Sequence, residues 1–435
     1  MFNRLPVSVK HGLIRLTAAV LLCGVLFALA YDRTDEPEAP RDMETAYHRI
    51  SIERTRLEFL DAGWAARFSA AAEAVGSSAA QVRQDFIKWR PFFDFIDREN
   101  RRVLLTTPQG HLFSYDLEAK SARPVTSNLT GIIRDTAWRE PSPEWLDGEP
   151  PAQKIAWLVE LGARDIEILH DTAIGSVVLV AANRFEGACM RQVIYRAPLP
   201  EGDVTELTFD LLYTSSDCLV RHPDNIIARL VQRDARTVVA AIGQGADPTG
   251  TMDPKDVFGK SVMVDLLSGI GTRLTHGHRN PQGLTVLEDG TILMAEHGPR
   301  GGDEINILAA GKGYGWPQVS YGIGYEPSPG QFARSQRPFG EPLFYFSPSI
   351  AISEIVSYRK PHFVRWQGNI LATSLKDKAI HRLDFDIDDR VVRSSERIEV
   401  GCRIRDVELD TEGVIYAVCD NLDFLTIRRA AADYF

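Results

Sequence analysis

The chain is short of positive charge, of cysteine and of every common catalytic signature. Its 49 Lys and Arg stand against 59 Asp and Glu, a net charge of -10. That balance argues against a protein whose main business is coating nucleic acid, because phosphate binding needs a basic surface. There is no Ser-His-Asp arrangement, no Gly-x-Ser-x-Gly elbow, no His-Glu-x-x-His pair and no Gly-rich nucleotide loop between strand and helix, which sets aside most common enzyme classes. No low-complexity tract interrupts a composition of 44% apolar and 25% charged residues, the profile of a packed globular protein. A length of 435 residues admits two or three ordinary domains or one large repeat-built domain.

Of the five cysteines, Cys23 sits in the apolar run "LTAAVLLCGVLFALAY", which follows Arg4, Lys10, His11 and Arg15 and ends in Ala28-Leu29-Ala30. A positive region, an apolar core and a small-x-small end read as a secretory signal over residues 1–31, or as an uncleaved membrane anchor, although the run is a little short for a span. Either reading implies export to an extracytoplasmic space. The bulky Leu22 before Cys23 argues against a lipoprotein site. Removal of the signal leaves Cys189, Cys218, Cys402 and Cys419, an even number that allows three disulfide connectivities in an exported chain. Pairing Cys189 with Cys218 and Cys402 with Cys419 is favoured, because each pair closes a local hairpin-like loop. The alternative is four small buried hydrophobes.

Residues 32–45 are polar and Pro-containing and read as a linker. From residue 46 to 435 the sequence reads as one β-propeller. The stretches "RENRRVLLTTPQGHLFSYDL", "VQRDARTVVAAIG", "VLEDGTILMAEHG", "WQGNILATSLKDKAIHRLDF" and "LDTEGVIYAVCDNLDFLTIRR" each place a polar or Gly-containing turn before a short run of Val, Ile, Leu, Thr and Tyr. Short β-rich runs at such intervals are the signature of an all-β repeat architecture. Blades around a channel bury both faces of each sheet and gather long loops, such as 244–259 and 310–345, at one end. A two-sheet sandwich would leave those loops no common face to line.

Two of these loops carry the polar residues that suit a site. In "GHRNPQGL" Arg279 and Asn280 precede Pro281, which fixes the backbone; Arg offers a planar fork and Asn both a donor and an acceptor, a pairing suited to a planar, acidic ligand or to a turn-stabilising network. In "EHGPRGGDEINIL" the Gly298-Pro299 and Gly301-Gly302 steps uncover main-chain carbonyls beside Glu296, Asp303 and Glu304, the oxygen ligands that Ca²⁺ prefers, or an acidic surface turn. Further on, "TSLKDKAIHRL" sets Lys376 just after an apolar strand, and "GCRIRDVEL" puts Arg403 and Arg405 two apart, on one face of an extended segment. Such arginines are either paired with Asp and Glu or aimed into the channel. His222, in "RHPDNIIARL", is the remaining candidate for proton transfer.

In this order the motifs "GHRNPQGL", "EHGPRGGDEIN" and "GKGYGWP", followed by "PSIA", "SLKDKAIHRL" and "RIRDV", resemble the soluble quinoprotein glucose dehydrogenases and aldose sugar dehydrogenases, grouped as glucose/sorbosone dehydrogenases. The resemblance runs through residues 270–322 and 343–430 and is weaker over 165–265. It implies a six-bladed β-propeller with pyrroloquinoline quinone and Ca²⁺ at one end of the channel. Carried over by position, Arg279 and Asn280 contact the quinone carbonyls, Lys376, Arg403 and Arg405 neutralise its carboxylates, and Ser349 lies near the ring. The main-chain oxygens of Gly298 and Pro299 ligate the catalytic calcium, and Glu304 and Tyr314 match a second, structural calcium site. His222 is then the base that takes the proton of a sugar or other hydroxyl substrate, with Arg279 stabilising the developing charge and a separate protein or molecule accepting the electrons.

The proton-transfer half departs from the family. Asp224-Asn225 follow His222 where two small residues or a Ser-Gly pair are usual, and Gln244 stands where an Asp orients the His. An amide accepts a hydrogen bond but cannot stabilise an imidazolium by charge, unless Asp247 substitutes from a folded-back loop. Two other readings therefore stand beside the dehydrogenase: a propeller of the same descent that serves as a non-catalytic binding module, and a calcium-dependent hydrolase of the sugar-lactonase type.

Overall fold

A computed structural model describes residues 42–44, 49–59, 91–97, 102–137, 162–186, 189–216, 229–245, 248–253, 255–325 and 338–430. These residues lie in one compact unit, Asp42–Phe435, and form six sheets. Blade 1 holds Phe92–Asp97, Arg102–Thr106, Leu112–Asp116 and Ser121–Ser127; blade 2, Ala163–Thr172, Gly175–Glu186, Cys189–Pro198 and Asp210–Thr214; blade 3, Arg229–Gln232, Thr237–Ile242, Lys260–Asp265 and Gly271–His276. Blade 4 holds Pro281–Val286, Ile292–Glu296, Asp303–Leu308 and Phe344–Phe346; blade 5, Ile352–Tyr358, Asn369–Ser374, Ala379–Asp386 and Val391–Glu399; blade 6, Ile404–Leu409, Ile415–Cys419 and Asp423–Arg429. The first strands of consecutive blades touch in an unbroken ring, so the expected six-bladed β-propeller is the fold.

Closure comes from the N-terminal side. Arg49–Arg56 adds to blade 6 by pairing antiparallel with Asp423–Arg429, and Asp42–Glu44, at the end of the stretch expected to be a linker, pairs with Arg49–Arg56 in turn. Blade 6 is thus assembled from segments far apart in the sequence.

The apolar runs in the sequence follow from blade stacking. A strand buried on both faces sends alternate side chains into two different cores. Val103 and Leu105 enter the core between blades 6 and 1, while Leu104 enters that between blades 1 and 2. Val178, Val180 and Ala182 face blade 1, and Val177, Leu179 and Ala181 face blade 3. Six such clusters fill the six joints between blades, and each buried Val or Leu contributes about 1.5–3 kcal/mol.

Polar staples join the inner strands as well. Asp94 Oδ2 accepts from the Ile168 backbone N–H at 2.5 Å, Asp165 Oδ2 from Leu230 at 2.7 Å, Glu354 Oε1 from Leu284 at 3.0 Å and Asp406 Oδ2 from Phe93 at 3.0 Å. Each joins one blade to its neighbour through a main-chain donor that the sheet leaves open on its inner edge. Arg229 lies among three of these carboxylates, with Nη1 2.9 Å from Asp165 and 3.4 Å from Asp406, and Nε 3.2 Å from Glu354. Burial by itself lowers the Arg229 pKa, but the surrounding Glu354, Asp165 and Asp406 charges raise it above its ordinary value. Burial also holds the carboxyls of Asp165, Glu354 and Asp406 above theirs.

Candidate active site

The loop 277–280 and the turn 297–302 sit at the same end of the strand pair that opens blade 4, Pro281–Val286 with Ile292–Glu296. Antiparallel pairing sets Pro281 opposite Glu296, so the two loops emerge side by side. Glu296 ties them together. Its Oε2 accepts from the Arg279 backbone N–H at 2.7 Å, and its Oε1 accepts from His278 Nδ1 at 3.0 Å and Asn306 Nδ2 at 2.9 Å. The Arg279 guanidinium then reaches the His297 carbonyl at 3.2 Å and lies over the Trp316 ring at 5.2 Å. Its Nε is buried with no hydrogen-bond partner among the described residues. Burial lowers the Arg279 pKa, yet a guanidinium keeps its charge.

His297 fixes Asn280. The imidazole Nε2 is 2.6 Å from the Ile352 carbonyl, which can only accept, so Nε2 donates. Burial pushes the His297 pKa below its ordinary value, so at neutral pH the ring carries that one proton and Nδ1 is an acceptor. Asn280 Nδ2 donates to it at 3.3 Å, and Asn280 Oδ1 accepts from Gln282 Nε2 at 2.7 Å. The amide orientation of Asn280 is thereby set, and one N–H and one lone pair remain for a ligand.

The turn 297–302 admits only glycine at its core. A β-carbon on Gly298 would lie 2.3 Å from the carbonyl oxygens of both Gly301 and Gly302. Asp303 holds the turn from behind: Oδ1 accepts from the Gly298 N–H at 3.1 Å and from Ser349 Oγ at 2.6 Å, and Oδ2 accepts from the Ile352 N–H at 3.2 Å. Ser349 is thus brought beside Gly298. The Pro299 carbonyl accepts from the Tyr325 hydroxyl at 3.1 Å, which leaves its second lone pair for a cation.

Glu304 faces Glu296 directly across the strands of blade 4. The two carboxylates line a cavity of about 20 Å³ with Gly277, Gly298, Tyr314 and Ser320, room for one water or one ion. The Tyr314 hydroxyl is committed to the Ile307 carbonyl and the Ala309 N–H, so Tyr314 can offer a cation only its main-chain oxygen. Among the described residues there is no cluster of three or more His, Cys, Asp or Glu side chains of the kind that holds a metal; any calcium here takes carbonyl oxygens as well.

The cations come from blades 5 and 6. Lys376 N–H donates to the Ile350 carbonyl at 3.1 Å, one residue from Ser349, and its exposed ammonium has no partner among the described residues. Arg403 and Arg405 do share a face, as their spacing requires, and both meet Asp420. Arg405 binds it with two parallel hydrogen bonds, Nε to Oδ1 at 2.9 Å and Nη2 to Oδ2 at 3.0 Å, while Arg403 Nε reaches Oδ2 at 3.0 Å. Arg403 Nη1 reaches the carbonyl of Leu375, next to Lys376, at 3.4 Å, so the blade-6 arginines lie at the end of the channel where Lys376 and Ser349 meet the 297–302 turn. The Cys402–Cys419 disulfide forms as expected.

His222, Cys218 and Asp247 lie outside the described residues, as do the 1–31 segment and the Asp224-Asn225 pair. Gln244 is described, and its Oε1 accepts from Trp316 Nε1. Among the described residues no helix is long and apolar enough to cross a membrane. Asp420, His297 and Tyr325 were not singled out from sequence. Arg403 and Asp420 are neighbours because the antiparallel register sets Ile404 opposite Cys419, and no local pattern in the sequence announces that register.

A family model described as Glucose / Sorbosone dehydrogenase matches residues 162–426. The aldose sugar dehydrogenase YliI of Escherichia coli is 36% identical over 149 residues, 34% of this chain and 40% of that protein. Quinoprotein glucose dehydrogenase B of Acinetobacter calcoaceticus is 48% identical over 56 residues, 13% of this chain and 11% of its own length. The matched part is thus well under half of either relative. The crystal structure of the apo form of the soluble aldose sugar dehydrogenase from Escherichia coli superposes with a TM-score of 0.64 at 23% identity, over 80% of this chain and 99% of the other, a likeness of fold.

Proposed function

Because this chain belongs to the glucose/sorbosone dehydrogenase family, we propose that it binds pyrroloquinoline quinone and Ca²⁺ and oxidises an aldose or related hydroxyl substrate. The observation that carries this reading is the convergence of Arg279, Asn280, Ser349, Lys376, Arg403 and Arg405 with the Gly298-Pro299 turn at one end of the channel. The residues fit the cofactor. Its three carboxylates suit a cluster of three cations that Asp420 neutralises only in part, the buried Arg279 Nε has no partner among the described residues, and the uncovered carbonyls of a Gly-Pro turn are ligands of the kind calcium prefers.

When bound, pyrroloquinoline quinone supplies the hydride acceptor and calcium the polarising charge. Lys376, Arg403 and Arg405 hold carboxylates, and Arg279 and the oriented amide of Asn280 address the quinone carbonyls. Gly298 and Pro299 offer main-chain oxygens to the calcium, while Glu304 and the main chain of Tyr314 offer oxygens to a second ion. His222 takes the proton of the substrate hydroxyl, and a separate acceptor receives the electrons. The Cys402–Cys419 disulfide supports an extracytoplasmic location, reached through the N-terminal signal or tether.

A second reading, a propeller that binds its ligand without turning it over, is favoured by one observation. Gln244 is neutral and its carbonyl oxygen is committed to Trp316, so this position gives a catalytic imidazole no charge. Titrating the purified, calcium-loaded protein with pyrroloquinoline quinone, then adding a panel of sugars while following absorbance, separates the two. Bleaching on sugar that disappears in His222→Ala, with quinone affinity retained, supports the dehydrogenase. Tight binding with no reduction by any sugar supports the binding module, and no binding by folded protein overturns both.

A further inference from the structure

One carboxylate organises the whole cationic corner. Asp420 is 7% exposed, and it engages Arg405 through a planar two-bond fork while its Oδ2 also takes Arg403 Nε. A fork of this kind fixes the plane of a guanidinium as well as its position. Arg403, whose side chain is 37% exposed, has Nη1 3.4 Å from the carbonyl of Leu375, the residue before Lys376. The backbone repeats the constraint: Asp420 N–H donates to the Arg403 carbonyl at 2.9 Å, and the Cys402–Cys419 bridge crosses the same two strands one residue earlier. Asp420 is therefore held in place by a covalent bond, a ladder hydrogen bond and its own burial, whereas the arginines are held by Asp420.

We infer that Asp420 is a positioning residue, which aims the guanidinium groups of Arg403 and Arg405 at the carboxylates of a polyanionic planar ligand. With pyrroloquinoline quinone as that ligand the inference rests on the reading given above. Two physical effects oppose each other here. As an anion, Asp420 competes with the ligand for the arginines, so its removal by itself strengthens binding. As a brace, it keeps long, rotamer-rich side chains in one geometry, so its removal weakens binding. The buried fork favours the second effect. An asparagine in its place presents N–H groups to the N–H groups of Arg405, and the guanidinium must turn away.

The test is the affinity of folded, calcium-loaded Asp420→Asn and Asp420→Glu for pyrroloquinoline quinone, with thermal unfolding of each variant measured alongside. Wild-type protein is titrated first; failure of the wild type to bind overturns the cofactor reading and this inference with it. With wild-type binding in hand, Asp420→Asn is expected to raise Kd about tenfold or more, as the loss of one or two charge-assisted bonds does, and Asp420→Glu to fall between the two. A Kd within twofold of wild type, even in a variant of lower melting temperature, means a merely structural ion pair and overturns the inference while the cofactor reading stands. A Kd below wild type overturns it too, because charge competition then dominates. Where Asp420→Asn does not fold, Asp420→Glu decides alone: a threefold or larger rise supports the inference and an unchanged Kd overturns it.

Discussion

The channel and its mouth use the same residue types in opposite proportions. In the channel one cation, Arg229, lies among three carboxylates, Asp165, Glu354 and Asp406. At the mouth two of three cations, Arg403 and Arg405, share one carboxylate, Asp420, and the third, Lys376, does not touch it. The channel carboxylates are also bonded to backbone N–H groups of neighbouring blades, so every charge there has an internal partner. Such a closed network is scaffold. At the mouth the charges are compensated by side chains only in part, since the exposed Lys376 ammonium has no partner among the described residues. Buried charge that is satisfied internally holds a fold together, whereas partly compensated charge at an opening is what an anionic ligand recognises.

The largest expected effect breaks the channel. Arg229→Met leaves three buried carboxylates without their cation and should cost about 3–5 kcal/mol of stability in urea unfolding; a loss under about 1 kcal/mol would mean that the cluster is not scaffold. Arg405→Ala acts on both sides of the comparison. It removes the two-bond fork from the buried Asp420 and leaves it Arg403 alone, so about 1–3 kcal/mol should be lost, and quinone affinity in a direct titration should fall more than tenfold.

Acidity sharpens the contrast further. Burial raises the pKa of Glu354 to about 8 and of Asp165 to about 7, so the folded chain holds protons that the unfolded chain releases. Their contribution to stability is full below the ordinary carboxyl range of about pH 4 and is lost as pH rises through these raised values. Stability followed by urea unfolding should therefore decline from mildly acid to mildly alkaline pH, and Glu354→Gln, which cannot titrate, should flatten that decline. An unchanged slope would exclude Glu354 as its source. The smallest stability effect belongs to the mouth: Lys376→Ala should stay within about 0.5 kcal/mol of wild type, while quinone affinity drops severalfold. A clear loss of stability there would dissolve the distinction between the two clusters.

Much of this was legible in the residues. Alternating cores on both faces of a blade strand demand continuous apolar runs, and "RVLLT" and "TVVAAI" announced the stacked sheets. The spacing of Arg403 and Arg405 placed them on one face, and the short span from Cys402 to Cys419 suggested their bridge. The Gly-Pro and Gly-Gly steps of 298–302 announced a turn with exposed carbonyls. Less legible was Arg229, which sits in "NIIARLV" like an ordinary strand arginine. Its partners are 64, 125 and 177 positions away in three other blades, and no local pattern encodes a ring closure. Asp420 escaped for a related reason, since a lone Asp after a strand reads as a turn residue.

By itself the sequence determined the local menu: strand-forming runs, turns that only glycine permits, and a set of polar side chains on the two loops that flank one strand pair. These follow from short-range sterics and from side-chain periodicity, which act within a few residues. Only the tertiary structure decided which charges cancel and which remain, because that depends on the closing of six blades into a ring. Closure puts Arg229 among carboxylates from three other blades, and pairing within blade 6 sets Asp420 against two arginines. Electrostatic energy is a property of distance and burial, and neither quantity exists until the chain has folded.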